Sequence, residues 1–480
     1  MQTEDRVNLI VVGGGAAGLA AAAAAEARGL SAQVLEARDR LGGRVLTTPC
    51  GAGEQFDHGA QMVNADMAQV LALAEAAGLH CSPIAEAGAS LTVIGDEVDR
   101  DDERLTAEEL YEMLEESIVT WGTAGEQVEA VGKHLAWWTT QWESPVEAWR
   151  WLRWRLRRSD VPGGSVAGAL EALLLDRADE SLARSMITEA YSEAPEALCA
   201  QALHRGMRRE TSERGEMEFH FAGGMGAIIA HLASTLSRPP KLRTAVSGIT
   251  VGADGVEVAT ACGTMRADGV IVTAPPPAAR RIEVSVDAGD LLSRLLSSFQ
   301  SGAAIKMQLS YATAFWRYRG LSGHAVLTQP AGLTVVDTSL DTGALPRLTA
   351  FLGGPEARVW ALLTPGDRCA RVLGLLSRAF GPAAETPIRT AEAVWHDDRW
   401  SGGGYNATVR LGGIPDAATR LSRWGGRLRF AGAELDDSFV GSVEGAIRSG
   451  RRAARLIAED LASGSSAPPC RAEMTEGATL

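Results

Sequence analysis

Asn8-Leu9-Ile10-Val11-Val12-Gly13-Gly14-Gly15-Ala16-Ala17-Gly18-Leu19 is the stretch from which the fold can be read. Asn8 to Val12 is a short apolar strand. The alanine-rich run through Arg28 is a helix, and Gly29 stands where a helix C-cap belongs. Ala32 to Leu35 forms the next strand, and Glu36 ends it. The turn has the spacing Gly13-x-Gly15-x-x-Gly18. Between strand and helix, Gly13 permits the tight turn, Gly15 lets the backbone approach a pyrophosphate, and Gly18 lets helix and strand pack closely. Ala16 and Ala17 open the helix, whose free N–H groups suit a phosphate. Glu36 is placed to accept hydrogen bonds from a ribose diol. This unit predicts a dinucleotide-binding α/β fold, and these residues alone leave NAD and FAD both open.

The rest of the 480-residue chain is globular in composition, with 46 % hydrophobic and 22 % charged residues. Its length suggests two to three domains. A net charge of −14 excludes a general nucleic-acid binder, which needs excess cations to displace phosphate counterions. The six cysteines, Cys50, Cys81, Cys199, Cys262, Cys369 and Cys470, include no CxxC pair. They fit unpaired thiols in a reducing cytoplasm. Met1 to Arg6 is polar, with no basic region or cleavage site. No apolar stretch near the start, and none in the tail, suggests an anchor. The expectation is a cytoplasmic protein without membrane or nucleic-acid partners. No metal-ligand cluster and no Ser-His-Asp arrangement stands out.

Residues 85 to 210 read as mostly helical. Within them lies a block with Trp137, Trp138, Trp142, Trp149, Trp151 and Trp154, accompanied by Arg150, Arg153, Arg155, Arg157 and Arg158. One reading is a membrane-surface or partner-binding helix. The preferred one is a helix packing its rings on a core while arginines snorkel over them, because Trp149 and Trp151 cannot share one helical face. Thr244 to Val258 predicts a hairpin turning at Asp254-Gly255. Further strands are expected at Gly269–Thr273, Ala303–Leu309 and Leu428–Phe430, with helices at Leu291–Leu296 and Val443–Ala462. Residues 464–480, rich in Ser, Gly, Pro and Ala, predict a disordered tail.

Glu36-Ala37-Arg38-Asp39-Arg40-Leu41-Gly42-Gly43-Arg44 resembles the extended fingerprint of the flavin amine oxidase family. Further segments agree in order: Phe56-Asp57-His58-Gly59-Ala60-Gln61, Phe221-Ala222-Gly223-Gly224-Met225, Ile305-Lys306 with Tyr311 and Phe315-Trp316, Phe430-Ala431-Gly432-Ala433-Glu434, and Ser442-Val443-Glu444-Gly445-Ala446. The resemblance runs from about residue 8 to residue 457. It implies an α/β fold, with a Rossmann-like FAD-binding domain of the glutathione-reductase type and a discontinuous α+β substrate domain. The implied division is 1–84, 213–284 and 392–463 for FAD, and 85–212 with 285–391 for substrate. The implied cofactor is FAD. Besides the fingerprint residues, Ala37, Arg38, Gly43, Arg44, Gly59, Ala60, Gln61, Trp395, Gly432, Ala433, Glu434, Ser442 and Val443 would bind it, with Arg44 offsetting the pyrophosphate charge and Val246 holding the adenine end through its backbone. The implied reaction oxidises an amine to an imine with dioxygen as acceptor and hydrogen peroxide as product. A homodimer is compatible with this reading.

Lys306, read alone, is a solvated strand lysine, whereas the resemblance implies that it holds a water at the reactive edge of the flavin. Tyr405 matches one wall of the family's aromatic cage; the second wall would fall at Ser442, which has no ring. Where covalent monoamine oxidases carry a linking cysteine, this chain has Gly404, which implies non-covalent FAD. Where the L-amino-acid oxidase branch has a carboxylate-clamping arginine, this chain has about Met62. Alternatives are a flavin desaturase or C–C oxidase acting on a larger metabolite, an L-amino-acid oxidase, and a flavin-binding module with lapsed catalysis. No second GxGxxG supports a monooxygenase.

Overall fold

The computed structural model describes residues 7–51, 54–84, 87–100, 109–114, 164–173, 175–207, 217–396 and 398–463. The Trp- and Arg-rich block at 137–158 and the tail at 464–480 lie outside these residues.

Val7–Val12 is the pivot of the first sheet. It pairs in parallel with Ala32–Leu35 on one side and with Gly263–Val272 on the other, and Leu428–Phe430 extends the parallel set beyond Gly263–Val272. An antiparallel meander follows, in which Gly255–Thr260 pairs with the start of Gly263–Val272 and Val246–Gly252 folds back upon it, and Glu283–Ser285 completes the sheet in parallel beside Val246–Gly252. Successive residues of a strand face opposite sides, and here both sides are covered. Leu9 and Val11 belong to the core beneath Ala16–Glu26 and Val443–Ser463, while Ile10 and Val12 belong to the core with Leu292, Leu295 and Trp424. Burial on two faces explains why the strand is continuously apolar rather than alternating.

The helices Ala16–Glu26 and Val443–Ser463 pack against each other through small side chains. A Cβ at Gly450 would fall 2.1 Å from the Ala17 carbonyl oxygen, so glycine is required for this approach.

The second sheet has the strand order Arg389–Val394, Ala304–Ser310, Arg347–Gly353, Leu333–Asp337, Leu321–Leu327, Ala89–Ile94 and Glu97–Asp99. All seven residues of Ala304–Ser310 are buried, because a strand pairs on each edge and each face is covered. Helix Arg177–Tyr191 packs on this sheet. Its start is well specified. Asp176 accepts hydrogen bonds from the Ala178 and Asp179 amides at 2.8 and 2.9 Å, and Asp179 and Glu180 lie in the first turn. It ends at Ser192 in the left-handed region. Among the described residues no helix is long and apolar enough to cross a membrane, and no cluster of His, Cys, Asp and Glu could hold a metal.

Candidate active site

A cavity of about 1080 Å³ runs between the two sheets. Of the residues that the sequence singled out for cofactor or catalysis, Gly18 alone does not border it. A Cβ at Gly18 would lie 1.9 Å from the Gly13 carbonyl oxygen, so this glycine serves helix–strand packing. Gly15 differs. Its Cβ would meet nothing closer than the Gly42 oxygen at 3.8 Å, so the protein leaves that space open on the cavity side. No side chain caps the helix that begins at Ala16. Uncapped amides facing a glycine-lined space are the donor set that an anionic pyrophosphate requires.

Glu36 is buried, and its carboxylate accepts from the Gly14 amide at 2.6 Å and the Arg38 amide at 2.8 Å. A carboxylate offers about four acceptor positions, which leaves room for a ribose diol as well. Arg38 is itself paired with Asp398, whose carboxylate also accepts from the Trp400 and Ser401 amides. Val246, Ser247 and Arg281 border the same end of the cavity.

Arg44 makes two hydrogen bonds to Glu434, at 2.6 and 3.1 Å, and a third to the Tyr405 carbonyl at 2.7 Å. Burial alone would raise the Glu434 carboxyl, but Arg44 and the Ala407 amide outweigh it and hold the group below the usual carboxylate range. The arginine charge that the sequence assigned to a pyrophosphate is therefore shared with Glu434. Ser442 has a structural task too. Its hydroxyl accepts from the Gly445 amide at 3.0 Å and donates to the Phe439 carbonyl at 2.7 Å, capping the helix at Val443.

Lys306 reaches the other end of the cavity. It is buried at 2 % exposure, and its ammonium donates to the Gly59 carbonyl at 2.9 Å and to Gln61 Oε1 at 2.7 Å. Burial pushes it down to about 7; Asp57 pulls upward and Arg347 adds to the lowering. Asp57 responds in the opposite direction. Burial raises it, against Lys306, the Thr47 hydroxyl and the Met225 amide. The Phe351 ring centroid lies 5.2 Å from Lys306 Nζ and 6.3 Å from the Tyr405 ring, edge to face. The Trp395 indole donates to the His58 carbonyl at 2.9 Å. A Cβ at Gly404 would collide with Ser192 Cβ at 2.7 Å.

Several cavity residues lay outside the sequence reading. Phe351 and Arg281 carry no local motif. Glu189 had one cue, an acid in the last turn of a helix, where the dipole disfavours it.

A glycine cradle, an uncapped helix start, a ribose-directed acid and a buried lysine thus share one cavity. A sequence profile of flavin containing amine oxidoreductases matches residues 16–458. The chain belongs to this family. A flavin-containing amine oxidase of Oncorhynchus mykiss is 26 % identical over 96 % of this chain and 87 % of its own. An L-amino acid dehydrogenase of Synechocystis is 32 % identical over 49 % of this chain and 50 % of its own. Among solved structures, cyclohexylamine oxidase from Brevibacterium oxydans superposes with a TM-score of 0.79 at 25 % identity, covering 95 % of this chain and all of that one. This member of the family is an FAD-dependent oxidoreductase of amines with the mixed α/β architecture the sequence predicted.

Proposed function

We propose that the protein is an oxidase of small amines that uses dioxygen, releases hydrogen peroxide and holds FAD without a covalent bond. The observation that carries this reading is Lys306, a buried ammonium at the cavity end shared with Tyr405 and Phe351. FAD would lie along Gly13, Gly15, Ala16, Ala17, Glu36, Ala37, Arg38, Gly43 and Arg44. Its other end would meet Gly59, Ala60, Gln61, Trp395, Gly432, Ala433, Glu434, Ser442 and Val443, with Val246 beside the adenine. Bound there, the flavin supplies the acceptor for two electrons and a hydrogen from the carbon next to the amine.

The remaining work falls to side chains. An ammonium has three donors; Lys306 directs two at Gly59 and Gln61 and keeps one for a water. Its charge stabilises the anionic character that dioxygen acquires on reduction. Tyr405 and Phe351 exclude water and orient the amine. Ser192, filling the space beside Gly404, leaves no room for a linking cysteine. The residues expected to bind FAD are 1–84, 213–284 and 392–463, and those expected to face substrate are 85–212 and 285–391, in a cytoplasmic enzyme.

An anaerobic amine panel followed by admission of air tests this. Bleaching of the flavin by an amine and stoichiometric peroxide on reoxidation are expected. Bleaching without peroxide, with electrons passing to a quinone dye instead, would favour a dehydrogenase, the activity named for the Synechocystis relative.

A further inference from the structure

Asp57 is a buried acid for which the reaction described above has no use. It ends the strand Glu54–Asp57 and opens the loop, through Gly59 to Gln61, on which Lys306 rests. Lys306 and Gln308 stand two residues apart on Ala304–Ser310, so their side chains leave the same face of the strand. Both grip this loop. Gln308 Nε2 donates to the Asp57 carbonyl at 2.8 Å, and Lys306 Nζ donates to the Gly59 carbonyl at 2.9 Å. Residues two apart on a strand are about 7 Å apart, so the matched contacts keep Asp57 within Coulomb range of the ammonium.

The Asp57 carboxylate is itself held from behind. It accepts from the Thr47 hydroxyl and from the Met225 amide at 3.1 Å, and Thr47 Oγ1 accepts from the Gly226 amide at 2.8 Å. These amides open the helix Gly226–Ser234, whose own first residues supply no side-chain cap. The approach requires glycine at Gly224, where φ is +76° and a Cβ would fall 2.4 Å from Thr47 Cγ2. A helix start favours an anion. The Met225 amide, the Thr47 hydroxyl and Lys306 all favour the ionised carboxylate against burial, which raises it. The other groups around Lys306 do not replace this charge. The flanking strands put Phe351 and Ala393 beside it, neither of them charged. Arg347 bears on it with the wrong sign, and its guanidinium is engaged by Glu54 at 3.3 Å. His58 is held low by burial and by Lys306, so it is neutral near pH 7. Glu189 and Tyr405 border the same cavity, but the acid that offsets the burial of Lys306 is Asp57.

We infer that Asp57 is a positioning residue for Lys306: braced by the helix start behind it, it holds the negative charge that keeps the buried ammonium protonated. Asp57 does not border the cavity, so it acts through the lysine. On the reading that Lys306 serves dioxygen, on which this consequence rests, Asp57 sets the pH range in which the reduced enzyme reoxidises.

The chain has three lysines, Lys133, Lys241 and Lys306, so NMR of protein labelled with 13C at lysine Cε can follow each one. Lys306→Met identifies the Lys306 signal. In the FAD-free wild type its midpoint should lie near 7. Asp57→Asn keeps an acceptor for Thr47 and Met225 but removes the charge, and the midpoint should fall by about one pH unit or more. Reoxidation of the reduced holoenzyme should shift its pH profile by the same amount, with the rate at the acid end unchanged, because a charged lysine remains there. A purely structural Asp57 would instead lower the rate at every pH. In the Lys306→Met background Asp57→Asn should have no further effect on reoxidation. FAD content and melting temperature report folding of each variant. Should Asp57→Asn fail to fold, the wild type answers alone: the Lys306 signal should show a second step as Asp57 takes its proton in acid. A single step there, or a midpoint unmoved by Asp57→Asn, overturns the inference while leaving amine oxidation intact. A midpoint that moves while reoxidation stays constant supports the pairing and removes the dioxygen role of Lys306 instead.

Discussion

Lys306 sits where its charge is least comfortable, and its pH behaviour follows. With the ammonium pushed down to about 7, the cation is present below that pH and lost above it. Reoxidation of the reduced enzyme by dioxygen should therefore be fastest at acidic pH and fall as pH rises through about 7. Lys306→Met should retain FAD and reoxidise about tenfold to a thousandfold more slowly, the range for removing one preorganised electrostatic contact, with a flat pH profile. Stopped flow on chemically reduced protein measures both; an unchanged rate would return Lys306 to a structural role. Stability carries the same signature. The unfolded lysine, near 10.5, binds the proton that the folded one has shed, so this residue makes stability rise between about pH 7 and 10.5. Glu36 gives a second prediction at this scale. Glu36→Ala should weaken FAD by about 1–3 kcal/mol and also lower the melting temperature of the FAD-free protein, because the Gly14 amide loses its acceptor. Fluorescence titration and thermal melts would separate the two effects.

At the scale of elements, the glycines of the strand–turn–helix unit divide by what they face. Gly15 has open space in the protein, so Gly15→Ala should fold with a near-native melting temperature yet lose FAD. Gly18→Ala should fail earlier, since its Cβ meets the Gly13 carbonyl at 1.9 Å; near-native melting in that variant would contradict the packing described. This unit was legible from sequence because each of its constraints is local: a strand, a turn, a helix and an acid in one short stretch. The lysine strand was not. Period-two alternation assigns faces, but Ala304–Ser310 is buried on both, so Lys306 read alone passes for a solvated residue. The Arg44–Glu434 pair joins residues 390 positions apart, and no spacing rule could reveal that the two share a charge. Ser442 was read for its missing ring, whereas its hydroxyl caps a helix. Glu189 escaped because its place on the cavity depends on distant segments.

For the whole molecule, the cavity is the joint between two sheets, and the cofactor should bind them into one cooperative unit. Resolved apoprotein should melt below the holoenzyme. A hundredfold excess of FAD over its Kd should add about 2.7 kcal/mol of stability, visible as a concentration-dependent rise in Tm. FMN, lacking the adenosine that Glu36 is placed to hold, should give a much smaller rise at equal concentration. An equal rise with FMN would show that the ribose end contributes little. Acid precipitation of the holoenzyme should leave all flavin in the supernatant.

The position of Val7–Val12 in its sheet also sets a timetable for synthesis. This strand and its helix leave the ribosome long before their partners: one partner strand begins at Gly263, and the helix that covers Ala16–Glu26 begins at Val443. At roughly 5–20 residues per second, the nascent pair waits for tens of seconds with its apolar faces uncovered. FAD cannot shorten that wait, because Gly432, Glu434 and Val443, which border the cavity, are translated later than Gly263–Val272. During synthesis, therefore, the apolar faces of this first unit are exposed for a period that the cofactor cannot shorten.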